Sequence, residues 1–221
     1  MASIPPTKTR VKPRKPRKPS GSRPMRCMKS ECHHGPTNTY SLATPIGTME
    51  LVSCPRGIHT LGQLNTINDD NFIPRPDQEV CIKTQLFKDN GYTYKPALKC
   101  VEWLSLYFKK DPTLHTLPLP AICSFLKKSN KGATFTSRVL HNLAHKIKYG
   151  QTVSYGALGK LSGSPTGACR AVGQAMRNNP VQILIPCHRV IEASGKIGNY
   201  SGGSKNNTKV WLLQLEGVLK T

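Results

Sequence analysis

Acidic residues are scarce in this sequence, and the few that are present are unevenly placed. The 221 residues include 11 Asp and Glu against 32 Lys and Arg, which gives a formal net charge of +21. Residues 1–26 contain no acid, residues 27–126 are neutral, and residues 127–221 contain fourteen basic residues against Glu192 and Glu216. One-sided charge of this kind repels itself within a folded domain, so it indicates a polyanionic partner, of which nucleic acid is the commonest. A basic surface that serves only solubility is the alternative.

Long hydrophobic runs and paired cysteines are also missing. No stretch of about 20 apolar residues exists, so we expect no segment that spans a membrane. The eight cysteines are widely spread without a Cys-x-x-Cys pair, and no apolar signal segment precedes them. We therefore expect free thiols or metal ligands in a reducing compartment, because a chain of this length can bury a core without disulfides.

Proline and glycine divide the chain into three parts. Residues 1–36 form a basic, proline-rich tail that we expect to be disordered, and that serves as a nuclear address, a nonspecific DNA tether or a solubilising segment. Residues 37–126 show strand-like alternation, which predicts a small antiparallel meander, and then helical periodicity over 96–110. Residues 133–221 form a basic, helix-rich second domain. The predicted fold class is α/β, of the α+β kind.

The second domain begins with the pattern of a helix-turn-helix. Thr136 is placed to cap a first helix, and Ser154 is placed to cap a short second one. Ser164 is followed by a proline, which predicts that the next helix starts there and runs to about Arg177. Two short helices joined by a turn at a glycine are typical of DNA-binding helix-turn-helix units.

The last of these helices combines small residues with two arginines. Arg170 and Arg177 lie on one stripe, and most of the other residues are glycine or alanine. A slim helix of this kind can lie against the wall of a nucleic-acid groove, where arginines reach phosphates or replace a displaced base. The alternative is a tightly packed core helix; the surrounding positive charge favours the DNA-facing interpretation.

A cysteine and a histidine follow the apolar run at residues 183–186. The run is too short for a helix and predicts a buried strand or extended segment that ends at Pro186. Cys187 is then a candidate nucleophile with His188 as its base, directly or through one water. Glu216 lies on an apolar helix and needs a buried partner, for which His188 and an arginine or lysine are the alternatives.

These residues form motifs that resemble a known family. The motifs are Arg170-Ala-Val-Gly173, Asn179-Pro180, Ile185-Pro-Cys-His-Arg-Val190 and Gly198-Asn-Tyr-Ser-Gly202, in this order. Together they resemble methylated-DNA–protein-cysteine methyltransferases, the O6-alkylguanine-DNA alkyltransferases, over roughly residues 134–217. The resemblance implies a small ribonuclease-H-like N-terminal domain and a winged-helix-like alkyltransferase domain.

The resemblance also implies roles for the site residues. Cys187 matches the alkyl acceptor, His188 its base, Glu216 the carboxylate that orients the histidine, and Asn179 the residue between recognition helix and active site. The matches to the substrate pocket are Tyr155, Val190, Tyr200 and Ser201. Tyr155 also matches the tyrosine that crowds the 3′ phosphate and helps to protonate the leaving guanine.

The implied partner is double-stranded DNA, bound in the minor groove with the alkylguanine flipped out. Arg170 matches the arginine that fills the vacated stack, and Thr136 and Ser164 match contacts to the DNA backbone. Gly156 and Ala193 stand where other members have polar side chains, so only backbone contacts are expected there. We expect a monomer located in the nucleus.

The implied reaction is direct repair. The Cys187 thiolate takes the alkyl group from O6-alkylguanine, and by the same logic from O4-methylthymine, and no second group in the sequence clears the thioether. We therefore expect one turnover per molecule and no cofactor for catalysis. A protein that only binds alkylated DNA is the alternative, although relatives of that kind lack the cysteine.

A structural zinc site is a further expectation. Cys54 and His59 have a spacing compatible with zinc. Some family members add two more ligands, and Cys123 matches one of these positions. For the other, Cys32 competes with His33 and His34, and we choose Cys32. Ordinary core thiols are the alternative.

Overall fold

The computed structural model describes residues 32–87, 91–123, 134–164 and 168–220. Residues 1–31 of the predicted tail lie outside the described residues. Gly167 and the end of the predicted connection between the domains lie outside them as well. Everything described belongs to one compact unit, Glu31–Thr221. Within the described ranges, no helix has both the length and the apolar character that crossing a membrane requires.

The N-terminal part is a four-stranded antiparallel sheet. Strands β1 (Asn38–Ala43), β2 (Met49–Cys54) and β3 (Gly57–Gln63) form the predicted meander. A fourth strand, β4 (Cys81–Leu86), pairs with β1, so the order is β3-β2-β1-β4. The sequence did not predict β4 because its side chains are largely exposed, which removes the alternation that marks a half-buried strand.

Helix α1 (Lys95–Phe108) covers one face of this sheet. Its bounds agree with the predicted helix, although Leu98, one of the apolar residues at helical spacing, is 51% exposed. Apolar residues occur on nearly every side of this helix, so periodicity alone could not select the buried face. The residues that pack inward are Ala97, Cys100, Trp103, Leu104 and Tyr107.

The C-terminal part is built from α2 (Phe135–Lys146), α3 (Tyr155–Leu161), α4 (Cys169–Arg177) and α5 (Asn206–Leu215). A parallel pair of short strands, β5 (Val153–Ser154) and β6 (Val190–Ile191), joins them. Helices α3 and α4 follow one another as the predicted helix-turn-helix. The mixed α/β class is therefore confirmed.

The helix caps agree with the sequence at one of three positions. Ser154 caps α3, with its Oγ accepting from Ala157 N at 3.2 Å. The predicted cap at Thr136 was wrong, because Thr134 caps α2 and places Thr136 inside the first turn. The predicted cap at Ser164 was also wrong. Ser164 lies at the end of α3, where its backbone N–H donates to Gly159 O. Gly163, just before it, takes the left-handed conformation with φ 76°, which ends the helix. The N-cap of α4 is Ala168.

One continuous core runs from the sheet to the helices. Buried residues of β3 and α1 belong to the same apolar cluster as Val139, Leu143, Leu158 and Val172 of the second half. Backbone hydrogen bonds join the two parts, from Leu61 N to Pro180 O at 2.9 Å and from Gln182 N to Leu61 O at 2.7 Å. The sheet thus supports the segment that leads to Cys187.

The contact between β3 and residues 121–123 gives a test of this packing. A Cβ added to Gly57 would lie 2.6 Å from the backbone N of Cys123, so we expect Gly57→Ala to destabilise the protein by about 1–3 kcal/mol. Nothing lies within 4 Å of a Cβ at Gly173 in α4, so Gly173→Ala should stabilise it by about 0.5–1 kcal/mol. Urea denaturation measures both changes. Equal effects of the two substitutions would contradict the packing described.

Candidate active site

The segment before Cys187 is a buried turn. The prediction that it is buried is confirmed, since Ile183 and Leu184 are each 1% exposed. The prediction of an extended strand was wrong: Ile183 has φ 69°, and Gln182 bridges to Ile185. A β-branched residue rarely takes this conformation, so the turn is held by its buried surroundings. Residues 187–189 then form one turn of 3-10 helix.

Two hydrogen-bond donors meet the sulfur of Cys187. Asn179 Nδ2 lies 3.1 Å from Sγ, and the hydroxyl of Tyr200 donates to the same atom. Asn179 is itself fixed, because Nδ2 donates to Ile185 O at 2.8 Å and Oδ1 accepts from Val181 N at 3.1 Å. Burial raises the pKa of the Cys187 thiol, and the two donors and the charge of Lys209 oppose that rise. The resting sulfur is therefore a thiol that needs a base.

A buried carboxylate lies behind the neighbouring histidine. Glu216 Oε1 lies 2.8 Å from His188 Nε2, and Arg189 donates to both carboxylate oxygens at 2.9 Å. The sequence left His188 and a basic residue as alternative partners, and the structure shows both. Burial alone would raise the pKa of Glu216, but the hydrogen bonds from His188 and Arg189 and the charge of Arg189 outweigh it and hold that pKa well below its usual range.

His188 is fully buried, and this burial favours the neutral imidazole. Burial lowers the pKa of its imidazole, and this effect outweighs the opposing pull of Glu216. Arg189 is therefore the charged partner of the carboxylate, and His188 donates from Nε2. Its other nitrogen, Nδ1, meets no donor or acceptor within the described ranges. This tautomer leaves the lone pair of Nδ1 as the group that can accept a proton.

The predicted pocket residues lie on separate elements, and two of them, Tyr155 and Tyr200, interact with Cys187. Tyr155 is half-buried at the start of α3, directly after β5, and the buried Val190 begins β6, where it pairs with Val153. Burial, followed by the charges of Cys187 and Glu192, raises the pKa of the Tyr155 phenol. Tyr200 is buried, whereas Ser201 is exposed with φ 49°.

The predicted DNA contacts lie on the surface of the second half. Thr136, Arg170 and Ala193 are exposed, and Gly156 and Ser164 are half-buried. Val172 and Ala175 anchor α4 to the core, so its arginines face outward. This arrangement fits a surface that receives a phosphate backbone.

Two buried lysines were not predicted. Lys209 Nζ donates to Val190 O at 2.7 Å and to Ile197 O at 2.6 Å, which fixes the loop beside Cys187. Lys205 Nζ donates to Gln63 O at 3.0 Å and thereby ties the start of α5 to the sheet. Burial lowers the pKa of each lysine to about 8. A lysine within an apolar helix was the signal that could have identified Lys209.

Four possible metal ligands converge at the edge of the sheet. The ligand atoms of Cys32, His34, Cys54 and Cys123 all lie within 4.8 Å of one another. His59, the predicted nitrogen ligand, is not in this group, and His34 takes its place. The reason is the tight turn from Cys32 to Gly35, whose backbone hydrogen bond of 3.0 Å brings His34 back beside Cys32.

The donor set fits a tetrahedral ion. The Cys123 sulfur lies 3.8 Å from that of Cys32 and 3.7 Å from that of Cys54. Sulfur atoms about 2.3 Å from a zinc ion at tetrahedral corners are separated by roughly the same distance. These four residues could therefore hold zinc.

The charge of Lys209 gives a test of the environment of Cys187. Lys209→Met removes the cation that favours the thiolate, so we expect alkylation of Cys187 by iodoacetamide at pH 7 to slow by about five- to tenfold. Exposed cysteines react as well, so Cys187 must be followed by peptide mass spectrometry. The matched control is Lys196→Met at an exposed position, which should change the rate by less than about twofold. Equal effects of the two substitutions would refute the role of Lys209.

Comparisons with known proteins agree with this site. A family model described as 6-O-methylguanine DNA methyltransferase, DNA binding domain, matches residues 134–218. The Mus musculus methylated-DNA–protein-cysteine methyltransferase is 42% identical over 80% of each chain. The Homo sapiens protein of that name is 38% identical over 80% of this chain and 79% of its own.

Solved structures give the same result. The Mycobacterium tuberculosis O6-methylguanine methyltransferase is 30% identical with a TM-score of 0.55, covering 81% of this chain and 92% of its own. A structure of the enzyme from the same organism in complex with DNA matches with a TM-score of 0.54 and 30% identity, covering 80% of this chain and 91% of its own. The chain therefore belongs to the methylated-DNA–protein-cysteine methyltransferases, a family of DNA-binding DNA-repair enzymes, as its motifs predicted.

Proposed function

We propose that the protein repairs DNA directly, by transferring an alkyl group from O6 of guanine to Sγ of Cys187. The observation that carries this proposal is the arrangement at one buried point. The Cys187 thiol accepts hydrogen bonds from Asn179 and Tyr200, and the next residue is a neutral histidine supported by a carboxylate. This is a nucleophile, a base and an orienting group in sequence.

The reaction balances with the groups present. The Cys187 proton passes to Nδ1 of His188, directly or through one water, and the thiolate attacks the alkyl carbon. The S–C bond forms, the C–O6 bond breaks, and its electron pair remains on the purine. Tyr155, whose raised pKa keeps the phenol protonated, passes its proton to the purine so that guanine leaves as a neutral base, and the phenolate regains a proton from solvent as His188 releases the one it took from Cys187.

The transfer is irreversible and occurs once per molecule. A thioether has no good leaving group, and the described surroundings of Sγ contain no second thiol within hydrogen-bond reach. O4-methylthymine presents the same alkyl–oxygen bond on a smaller ring, so we extend the proposal to it. No cofactor takes part in the transfer.

DNA reaches this site through α3 and α4. The exposed arginines of α4 lie on the slim helix that enters the minor groove, where Arg170 fills the space of the flipped base. Thr136 and Ser164 contact the DNA backbone through side chains, and Gly156 and Ala193 contact it through their backbone. Arg177 adds positive charge on the same helix.

We also propose that the protein is a monomer and acts in the nucleus. The basic tail supports the location, because short runs of lysine and arginine serve as nuclear addresses. Staining of cells that express the full chain, with and without residues 1–26, tests this location.

Zinc at the cluster of Cys32, His34, Cys54 and Cys123 is proposed as structural. The ion would fasten the turn before β1 to the end of β2 and to residues 121–123. The cluster shares no residue with the Cys187 site, so zinc supplies no step of the transfer.

Incubation with duplex DNA that contains O6-methylguanine tests the reaction. We expect Cys187 alone to gain about 14 Da, the mass of one methyl group that replaces a hydrogen, with one equivalent transferred and no further turnover. Cys187→Ala should bind the same duplex without transfer. Binding without any gain of mass by the wild type would favour a lesion-binding protein, and loss of alkyl groups from excess DNA would indicate a catalytic hydrolase.

Metal content and thermal stability test the zinc site. We expect about one zinc per chain, and a chelator or Cys123→Ser should lower the melting temperature by roughly 5 °C or more. Cys81→Ser, at an exposed cysteine, is the matched control and should change neither quantity. Full stability after complete removal of the metal would contradict a structural role.

A further inference from the structure

A side chain of the N-terminal half donates a hydrogen bond to the carboxylate of Glu216. Tyr107 is the penultimate residue of α1, and its hydroxyl donates to Glu216 Oε1 at 2.7 Å. The same oxygen of Tyr107 lies 3.4 Å from His188 Nε2. Tyr107 is fully buried, so these contacts are made without solvent.

The aromatic ring and the hydroxyl of Tyr107 have separable roles. The ring stacks on Trp103 with centroids 5.5 Å apart, and it meets Phe108 and Tyr149 edge-on at 5.2 Å and 5.7 Å. A phenylalanine would fill the same space and keep these contacts. The hydroxyl is not needed for packing, and a buried hydroxyl is costly unless it has a partner such as Glu216.

The phenol always acts as the donor in this contact. Burial, followed by the charge of Glu216, raises the pKa of Tyr107 well above its usual value, so the hydroxyl keeps its proton throughout the physiological range. Glu216 Oε1 therefore accepts from three groups, which are Tyr107, His188 and Arg189. Each donor takes up part of the carboxylate charge, which leaves less to stabilise an imidazolium.

We propose that Tyr107 is a positioning residue for the transfer reaction: its hydroxyl shares Glu216 with His188 and so keeps the imidazole neutral, with Nδ1 available as the base. The inference rests on the proposed function. The other charged or titratable groups around His188 either favour or disfavour protonation of its imidazole. Arg189 and Lys209 disfavour its protonation, Glu216 favours it, and Tyr149 lies beyond Tyr107 and bonds to a backbone carbonyl.

Removal of the hydroxyl should change the pH at which the base becomes available. In Tyr107→Phe the carboxylate bonds more strongly to His188, so the imidazole is protonated at higher pH. The acid limb of the single-turnover rate of methyl transfer should move upward by about one pH unit. At and below the wild-type midpoint the rate should fall by about five- to tenfold, while the rate at pH 8.5 should stay within about twofold of the wild type.

Tyr149→Phe is the matched control. It also removes one phenolic hydroxyl from the same aromatic group, but that hydroxyl donates to Leu215 O at 3.0 Å and not to the carboxylate. Its pH profile should superimpose on that of the wild type. A loss of stability alone would lower the rate at every pH without moving the midpoint.

The outcomes separate this inference from the function on which it rests. Failure of the wild type to alkylate Cys187 at any pH would overturn the proposed function. Transfer by the wild type together with an unshifted acid limb in Tyr107→Phe would overturn the role of Tyr107 alone. An equal shift in Tyr149→Phe would also overturn it, because the effect would then belong to the aromatic packing.

Discussion

The buried carboxylate of Glu216 is the interaction on which the rest of the site depends. It follows α5 directly and accepts hydrogen bonds from His188, Arg189, Tyr107 and the backbone of Gly150. These donors come from α1, from the turn after α2 and from the active-site segment. A buried charge is tolerated only when it is compensated and hydrogen-bonded, so the same contacts that stabilise Glu216 also fix these elements relative to one another.

The reactivity of Cys187 follows from a balance of opposing effects. Burial disfavours the thiolate, whereas Asn179, Tyr200 and the charge of Lys209 favour it. The thiol therefore remains protonated until a base takes its proton at the moment of attack. A neutral His188 can do so, because burial of the imidazole, helped by the positive charge of Arg189, outweighs the pull of Glu216 on its protonation.

The sequence predicted the elements that show a regular pattern of apolar residues and the residues that belong to a specific motif. The meander and the helix-turn-helix followed from alternation and from helix signals. The pairing of Glu216 with His188, which the residues alone left open against a basic partner, was implied by the family resemblance. Strand β4 was not predicted, because an exposed edge strand has no buried face to mark it. The caps at Thr134 and Ala168 depend on where the chain turns, which local propensity leaves open by a few residues.

The contacts that tune the site could not be predicted for another reason. Tyr107 and Glu216 are 109 residues apart, and only the packing of α1 under the sheet brings them together. His34 joins the three cysteines because a tight turn reverses the chain there. Such long-range contacts between single polar groups leave no periodic signal in a sequence.

The protonation of His188 in the resting wild-type protein tests this account most directly. Imidazole ¹⁵N chemical shifts at pH 7 report both the charge and the position of the ring proton. The account predicts a neutral ring with its proton on Nε2, next to Glu216. An imidazolium, or a neutral ring with its proton on Nδ1, would contradict it, because neither form could take the proton of Cys187.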